Sequence, residues 1–317
     1  MERNIGLEFV RITESASIAA ARWIGRGDKN AADRAATDKM RSGFNNLDID
    51  GMVVIGEGEM DEAPMLFIGE KLGKGGLALD IAVDPLECTN SVAYGRPNAI
   101  SVLAAAPKGT MLHAPDTYMN KIAVGPEAKG KIDLDASVEY NLQAVAKAKD
   151  LKVKDLMVIC LDRPRHEQLI KDIRRCGARI TLIPDGDISG AIVPSMPGSD
   201  IDILMGIGGA PEGVIAAAAL NALGGEMQAR LVVKDKNERE RAMCMGVKDP
   251  DRKMTNMDMV NTDRAIFVAT GISSGALLKG VDFTSFGAVT HSIVIRQASG
   301  TLRYIETRHR FEDEPMY

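Results

Sequence analysis

The sequence predicts an α/β protein. From about residue 150 onward, short apolar runs alternate with segments of helical character, which is the pattern of a wound, mostly parallel sheet with crossover helices. Ahead of that point, three further apolar runs (52–55, 77–83 and 99–106) are long enough for buried strands. The polar clusters able to carry chemistry each follow an apolar run directly: GEGE after VVI, DPLECT after IAV, RPR after VICLD, DGD after TLIP and GGAPEG after LMGI. Ligands in α/β sheets sit at the carboxyl ends of strands, so the recurrence is worth more than any one cluster.

Residues 4 to 24 form an amphipathic helix, with Leu7, Val10, Ala16, Ala20, Trp23 and Ile24 mostly on one side. GRGDKN breaks it, and a second helix runs from about Ala31 to Asn45 before DIDG turns the chain. MVVI, LALDIAV and AISVLAAA are strands. Then come LMVICL (strand), PRHEQLIKDIRRCG (helix), ARITLIP (strand), DISGAIV (helix) and DIDILMGIG (strand). PEGVIAAAALNAL follows as a helix with proline at its first position, and MQARLVV as a strand. The tail from RAIFVAT to about Glu306 is rich in β-branched residues and reads as a hairpin or edge strands. A boundary is placed near residue 150, giving an N-terminal α+β half (1–150) and a C-terminal α/β half (151–317).

Composition narrows the function. The 317 residues carry a formal net charge of −5, which does not favour nucleic acid. No apolar run approaches the ~18–20 residues of a membrane span, and the N-terminus lacks the basic-then-apolar layout of a secretory signal. The four cysteines are far apart with no C-x-x-C pair, and the four histidines form no H-E-x-x-H. A cytoplasmic enzyme that holds any metal through oxygen ligands fits these counts.

VDPLECTN is the most informative stretch. Pro85 fixes a tight turn from which Asp84 and Glu87 both project, and clustered carboxylates at a strand end suit Mg²⁺ or Mn²⁺. A helix beginning near Cys88–Asn90 would turn its free N–H groups toward an anion, with Thr89 beside it. The plainer reading is an Asp-Pro turn and an N-cap threonine. GEGEMDE packs Glu57, Glu59, Asp61 and Glu62 into six residues; it is either a cation site or a solvated acidic loop, and Glu57 is singled out by its place at the strand end. In GRGDKNAAD, Asn30 and Asp33 have the spacing of a helix cap and its partner three residues on. Arg163 and Arg165 flank Pro164 and suit an anionic substrate. Asp185 and Asp187 flank Gly186, for sugar hydroxyls or for a cap. GIGGAPEG is a glycine-rich turn before a helix, without the GK[ST] of a P-loop, and Glu212 stands where the helix dipole favours negative charge.

Two other phosphatase chemistries are tested by spacing. A cysteine phosphatase needs arginine six residues after its nucleophile; the four cysteines are followed there by Tyr94, His166, Leu182 and Pro250, so it fails. An aspartyl-phosphate enzyme needs D-x-D after a strand, and Asp185-Gly186-Asp187 keeps that reading open.

VDPLECT resembles the D-P-[IL]-[DE]-G-T signature of the metal-dependent, lithium-sensitive sugar and inositol phosphatases. IGRGDKNAAD, IDGMVVIGEGEMDEAPML, LHAPDTYMNK, PRH, IPDGD, GIGGAPEG and FVATGISSGALL, in this order from residue 24 to about 280, resemble class II fructose-1,6-bisphosphatase. The resemblance implies a layered α/β sandwich of the sugar phosphatase type, in two halves with the active site between them. It implies Mn²⁺ or Mg²⁺, a sugar bisphosphate substrate, a gluconeogenic role and a homo-oligomer, dimer or tetramer. Its metal carboxylates fall on Asp33, Glu57, Asp84 and Glu87, with Glu212 a further acidic site residue, and its catalytic threonine falls on Thr89. Its substrate contacts fall on Glu87-Cys88-Thr89, Tyr118, Arg163-Pro164-Arg165, Asp185-Gly186-Asp187 and Gly209. Substrates open to such an enzyme include the seven-carbon sedoheptulose bisphosphate; a sensor that binds without turnover is the non-enzymatic reading. The chain departs from the signature at Cys88, where glycine is usual: either the torsion there is ordinary or the thiol points away from the phosphate. A thiol beside a helix N-terminus and a metal is also expected to be prone to oxidation.

Overall fold

A computed structural model describes residues 4–58 and 65–311. Glu59, Asp61 and Glu62 of the acidic run lie outside the described residues. In chain order the elements are α1 (Ile5–Ala21), α2 (Lys29–Phe44), β1 (Ile49–Ile55), β2 (Lys71–Leu72), β3 (Leu77–Glu87), α3 (Thr89–Ala93) and β4 (Ile100–Pro107). Next come β5 (Tyr118–Val124), α4 (Val138–Ala148), β6 (Met157–Leu161), α5 (Glu167–Arg175), β7 (Arg179–Ile183), α6 (Asp187–Ile192), β8 (Ile203–Gly209) and α7 (Ala210–Leu223). The chain continues through β9 (Glu226–Val232), α8 (Lys236–Cys244), β10 (Met254–Thr255) and α9 (Asn256–Met259). It ends in β11 (Ile266–Gly271), β12 (Asp282–Thr284), β13 (Gly287–Arg296) and β14 (Thr301–Arg310).

These elements sort into two units, residues 1–111 with 262–317, and residues 112–261. The expected division near residue 150 falls inside the second unit, just past α4. Two pairings account for this. YMNKIAV, which carries no strand signal beyond its apolar end, is β5, hydrogen-bonded to β8 on one side and β9 on the other. The C-terminal strands return to the first sheet, where β11 pairs with β4.

In the first unit the strand order is β12-β13-β11-β4-β3-β1-β2, with β14 on β13. β1 and β3 run parallel, and the other strand pairs of this sheet among the described residues are antiparallel. The predicted terminal hairpin is β13–β14. α1 and α2 pack on this sheet around a core that includes Phe9, Met40, Phe44, Ile81 and Leu103. α1 is buried on more sides than its amphipathic pattern predicts, and Leu7, expected inward, is exposed. Thr13, Glu14 and Ser17, buried polar residues of α1, find partners on the sheet. Thr13 Oγ1 meets Thr270 Oγ1 at 2.7 Å, Ser17 donates to the Thr270 carbonyl at 3.2 Å, and Thr290 donates to Glu14 at 3.1 Å. Such partners are what make polar burial tolerable.

The second sheet has the order β10-β9-β5-β8-β6-β7. β6 runs parallel to β7 and β8, but β5 runs against both its neighbours and β9 against β10, so the sheet is mixed and not mostly parallel. Successive β5 residues serve opposite faces. Ile122 and Val124 join the core under α4 and α5, whereas Met119 and Lys121 lie against Gly213 of α7. α7 is buried almost all round, as an alanine-rich helix apolar on every side should be. The unit is therefore a sheet between two helical layers.

Candidate active site

Parallel pairing brings the first carboxylates together. Ile55 of β1 stands opposite Ala82 of β3, so two residues further on each chain Glu57 and Asp84 leave neighbouring strand ends. The loop after β1 is pinned: Glu57 N–H donates to the Leu66 carbonyl at 3.0 Å, and a Cβ at Gly56 would meet that oxygen at 1.9 Å. Only glycine fits at 56 without moving backbone. α2 brings Asp33. The GRGD loop ahead of it is tied to α3, with Gly25 N–H on the Val92 carbonyl at 2.9 Å and Gly27 N–H on the Ala93 carbonyl at 3.0 Å. The residue capping α2 is Asp28, whose carboxylate accepts from Ala31 N–H at 2.9 Å. Asn30 is not the cap, so the capping account of Asp33 falls away. Arg26 stacks over Trp23 at 5.6 Å.

The electrostatics follow from this placement. Glu57 is pushed up to about 9, first by burial and then by the negative charges of Asp84 and Asp33. Burial also raises Asp33. Three carboxylates that feel one another in a poorly solvated spot are the donor set a hard divalent cation relieves. Among the described residues no three such side chains stand in closed metal-ligand geometry. The two observations concern different things: the charges are close enough to repel, and the oxygens have not turned onto a common centre.

The segment carrying Asp84 and Glu87 is not the tight turn expected. β3 continues through it with a shift of register: Asp84 pairs with Val102 and Glu87 with Ile100, so one extra residue is accommodated on β3. This is a β-bulge, a place where proline's missing N–H costs no ladder bond. Asp84 Oδ1 accepts from Leu86 N–H at 3.1 Å. Glu87 is buried, and Thr89, half-buried, opens α3 as expected.

Cys88 has φ 75° and ψ 52°, the left-handed conformation that glycine adopts freely. Of the two alternatives for this departure the ordinary torsion is excluded. The thiol donates toward the Asn98 carbonyl at 3.5 Å and is 6% exposed, a shielded position for a group expected to meet oxidants. A valine here would add a branched Cβ where the backbone already disfavours one. Cys88→Val should lose about 2 kcal/mol or more in urea unfolding, whereas Cys88→Gly should stay within about 1 kcal/mol of the parent, strain relief offsetting lost burial. Equal losses in both would show that the torsion is not what limits this position.

In the second unit the arginine pair and the DGD turn meet at the ends of β6, β7 and β8. Arg163 donates to Asp185 at 2.6 Å. Arg165 forks onto the Ile207 carbonyl at 3.0 and 2.8 Å, and its guanidinium lies 4.6 Å from the centre of the Tyr118 ring. Lys234 approaches the same ring at 5.2 Å. Gly186, at φ 97°, turns the chain into α6, and Asp187 at the head of that helix is buried. Pro164 opens a short helical turn that carries Arg165. Gly209 ends β8, and Glu212, in the first turn of α7, folds back so closely that a Cβ at Gly209 would meet its carboxylate. Glu212 thus belongs to the second unit, and Asp33, Glu57, Asp84 and Glu87 to the first.

Two residues here escape the sequence reading. Lys121, 2% exposed, pairs with Asp187 and donates to the Gly209 carbonyl at 2.8 Å. His166, also 2% exposed, has both ring nitrogens engaged. Lys121 did leave a signal, a lysine in an apolar run at the same parity as Met119 and Ala123.

The layered α/β architecture, with ionisable and anion-suited side chains at strand ends within each unit, is consistent with an enzyme acting on phosphate esters. A family model described as bacterial fructose-1,6-bisphosphatase, glpX-encoded, matches residues 3–309. The fructose-1,6-bisphosphatase class 2 of Haemophilus influenzae is 47% identical over 99% of this chain and 98% of its own length. The fructose-1,6-bisphosphatase 1 class 2 of Escherichia coli K12 is also 47% identical, over 98% and 96%. The chain belongs to the bacterial, glpX-encoded fructose-1,6-bisphosphatase family.

Proposed function

We propose that the protein hydrolyses the 1-phosphate of fructose 1,6-bisphosphate, giving fructose 6-phosphate and phosphate, as a gluconeogenic enzyme of the cytoplasm assembled from identical subunits. No helix among the described residues is long and apolar enough to cross a membrane. What supports the chemistry is the burial of Glu57 near the negative charges of Asp84 and Asp33, which together push its carboxyl up to about 9 and call for a cation. Asp33, Glu57, Asp84 and Glu87 would hold Mn²⁺ or Mg²⁺, with Glu212 a further acidic contact. The ions, when bound, supply charge neutralisation at the reacting phosphate and an acidified water.

The remaining roles belong to the chain's own groups. Thr89 orients the attacking water or accepts the phosphoryl group, in line with the departing sugar oxygen. Glu87 and Cys88 flank it against the same phosphate. Arg163, Pro164 and Arg165 form the grip on the distal 6-phosphate, and Tyr118, Asp185, Gly186, Asp187 and Gly209 shape the pocket for the sugar. Binding at the distal phosphate then contributes to positioning at the reacting phosphorus. Phosphate release from fructose 1,6-bisphosphate should vanish with a chelator and return with Mn²⁺ or Mg²⁺. Sugar bisphosphate binding without release under any metal would replace this reading with that of a sensor, and comparable kcat/KM on sedoheptulose 1,7-bisphosphate would widen it.

A further inference from the structure

β6 pairs with β8 only at Val158–Ile203 and Ile159–Leu204. Beyond Leu204 the side of β8 that faced β6 has no strand partner among the described residues, yet Ile207 keeps both of its polar groups bonded there. Its N–H donates to His166 Nε2 at 2.7 Å, and its carbonyl accepts the Arg165 fork at 3.0 and 2.8 Å. Two consecutive side chains therefore replace the missing strand. His166 is held in turn by its other nitrogen, Nδ1, 2.7 Å from the Leu161 carbonyl at the end of β6. A ring that accepts at Nε2 must carry its proton on Nδ1, so the tautomer follows from the bonding. Gly206, at φ 139°, leaves space for the imidazole: a Cβ there would lie 3.0 Å from Nε2.

We infer that His166 is a positioning residue for the distal-phosphate grip, fixing the Ile207 backbone on which the Arg165 guanidinium is anchored. The inference rests on the proposed role of Arg165. It requires the imidazole to be neutral, because a protonated ring turns an N–H toward the Ile207 N–H and breaks the clamp. The charged and titratable groups around the ring are Arg163 and Arg165 on its own segment, Cys160 of β6 and Asp187 of α6. Cys160 is pushed up to about 12, mainly by burial, and stays protonated. Burial, with the two arginines, keeps His166 below its ordinary value, and only the Leu161 bond and Asp187 oppose this. The clamp is therefore intact at pH 6.5 and above, and opens only as the pH falls through the lower value that burial imposes on the ring.

The test is the KM for fructose 1,6-bisphosphate relative to that for fructose 1-phosphate, which lacks the distal group. It is measured in Mn²⁺ from pH 5.5 to 8.5, and the ratio divides out titration at the metal carboxylates. Toward pH 5.5 the ratio should rise more steeply in the parent enzyme than the substrate's own 6-phosphate, with a second pKa of about 6, accounts for. His166→Ala should raise it about tenfold at pH 7.5, the scale of a bond to a charged group, with kcat on the bisphosphate within about twofold. Arg165→Ala and the double variant should show equal ratios, since His166 acts through Arg165. His166→Gln, whose amide oxygen reaches the Nε2 position and does not titrate, should keep the parent ratio at pH 7.5 and leave on the acid side only the shallower rise from the substrate's own 6-phosphate; it decides the matter if the alanine variant fails to fold. An unchanged ratio in His166→Ala, a further rise in the double variant over Arg165→Ala, or an acid-side rise as steep in His166→Gln as in the parent would each overturn the positioning role. An unchanged ratio in Arg165→Ala would instead remove the distal-phosphate reading itself, and this inference with it.

Discussion

Thr89→Ala should lower kcat on fructose 1,6-bisphosphate by about 10²–10⁴-fold while moving KM by no more than about threefold. The range is that of a group acting on a proton or nucleophile in the transition state alone. Thr89 is the first residue of α3, directly after the bulged end of β3 and the left-handed Cys88, so its hydroxyl is delivered by backbone that the surrounding structure determines. Alanine keeps the Cβ and raises helix propensity, and the melting temperature should be preserved. Steady-state kinetics with Mn²⁺ checks the expectation. Turnover within tenfold of the parent would leave Thr89 without a chemical role, and a parallel rise in KM would make it a binding residue.

Lys121→Met should cost about 3–5 kcal/mol in denaturant unfolding, a large share of a typical domain's stability. The ammonium lies between the Asp187 carboxylate and the Gly209 carbonyl, and the pair's side chains are 2% and 8% exposed. Removing it strands a negative charge against α7 in surroundings that cannot solvate it. The cost therefore resides in the abandoned aspartate, and Lys121→Met with Asp187→Asn should recover much of it. A double-mutant cycle on urea midpoints gives the coupling. A single-variant loss below about 1 kcal/mol would mean that water reaches the carboxylate.

Much of this site is legible in the sequence because it is built from strand ends. GEGE, DPLECT and DGD each stop an apolar run, and the run carries the position: Glu57 and Asp84 come near each other because β1 and β3 are parallel, with a one-residue shift of register between Val53 and Ile55. Local geometry was harder to read. A tight turn and a bulged strand share the same proline and the same two acids, and only the register against β4 separates them. The capping account of Asp33 failed because Asp28, two residues earlier than Asn30, competes for the same free N–H groups. β5 escaped because its first half, YMNK, alternates weakly and its lysine argues for solvent; the carboxylate that makes burial tolerable is 66 residues away. Long-range partners of this kind leave no periodic trace, and the same holds for the bond from Ile207 to His166.

The discontinuity of the first unit bears on how the polypeptide is made. β11 lies inside its sheet, between β4 and β13, yet its residues leave the ribosome only after the whole segment from 112 to 261 has emerged. Until then β4 presents an unsatisfied apolar border, the kind of surface that recruits foreign strands. The intervening segment is contiguous and can acquire structure first. Nascent chains stalled or cut before Ile266 are thus the species in which this protein is most exposed to aggregation and most in need of a chaperone.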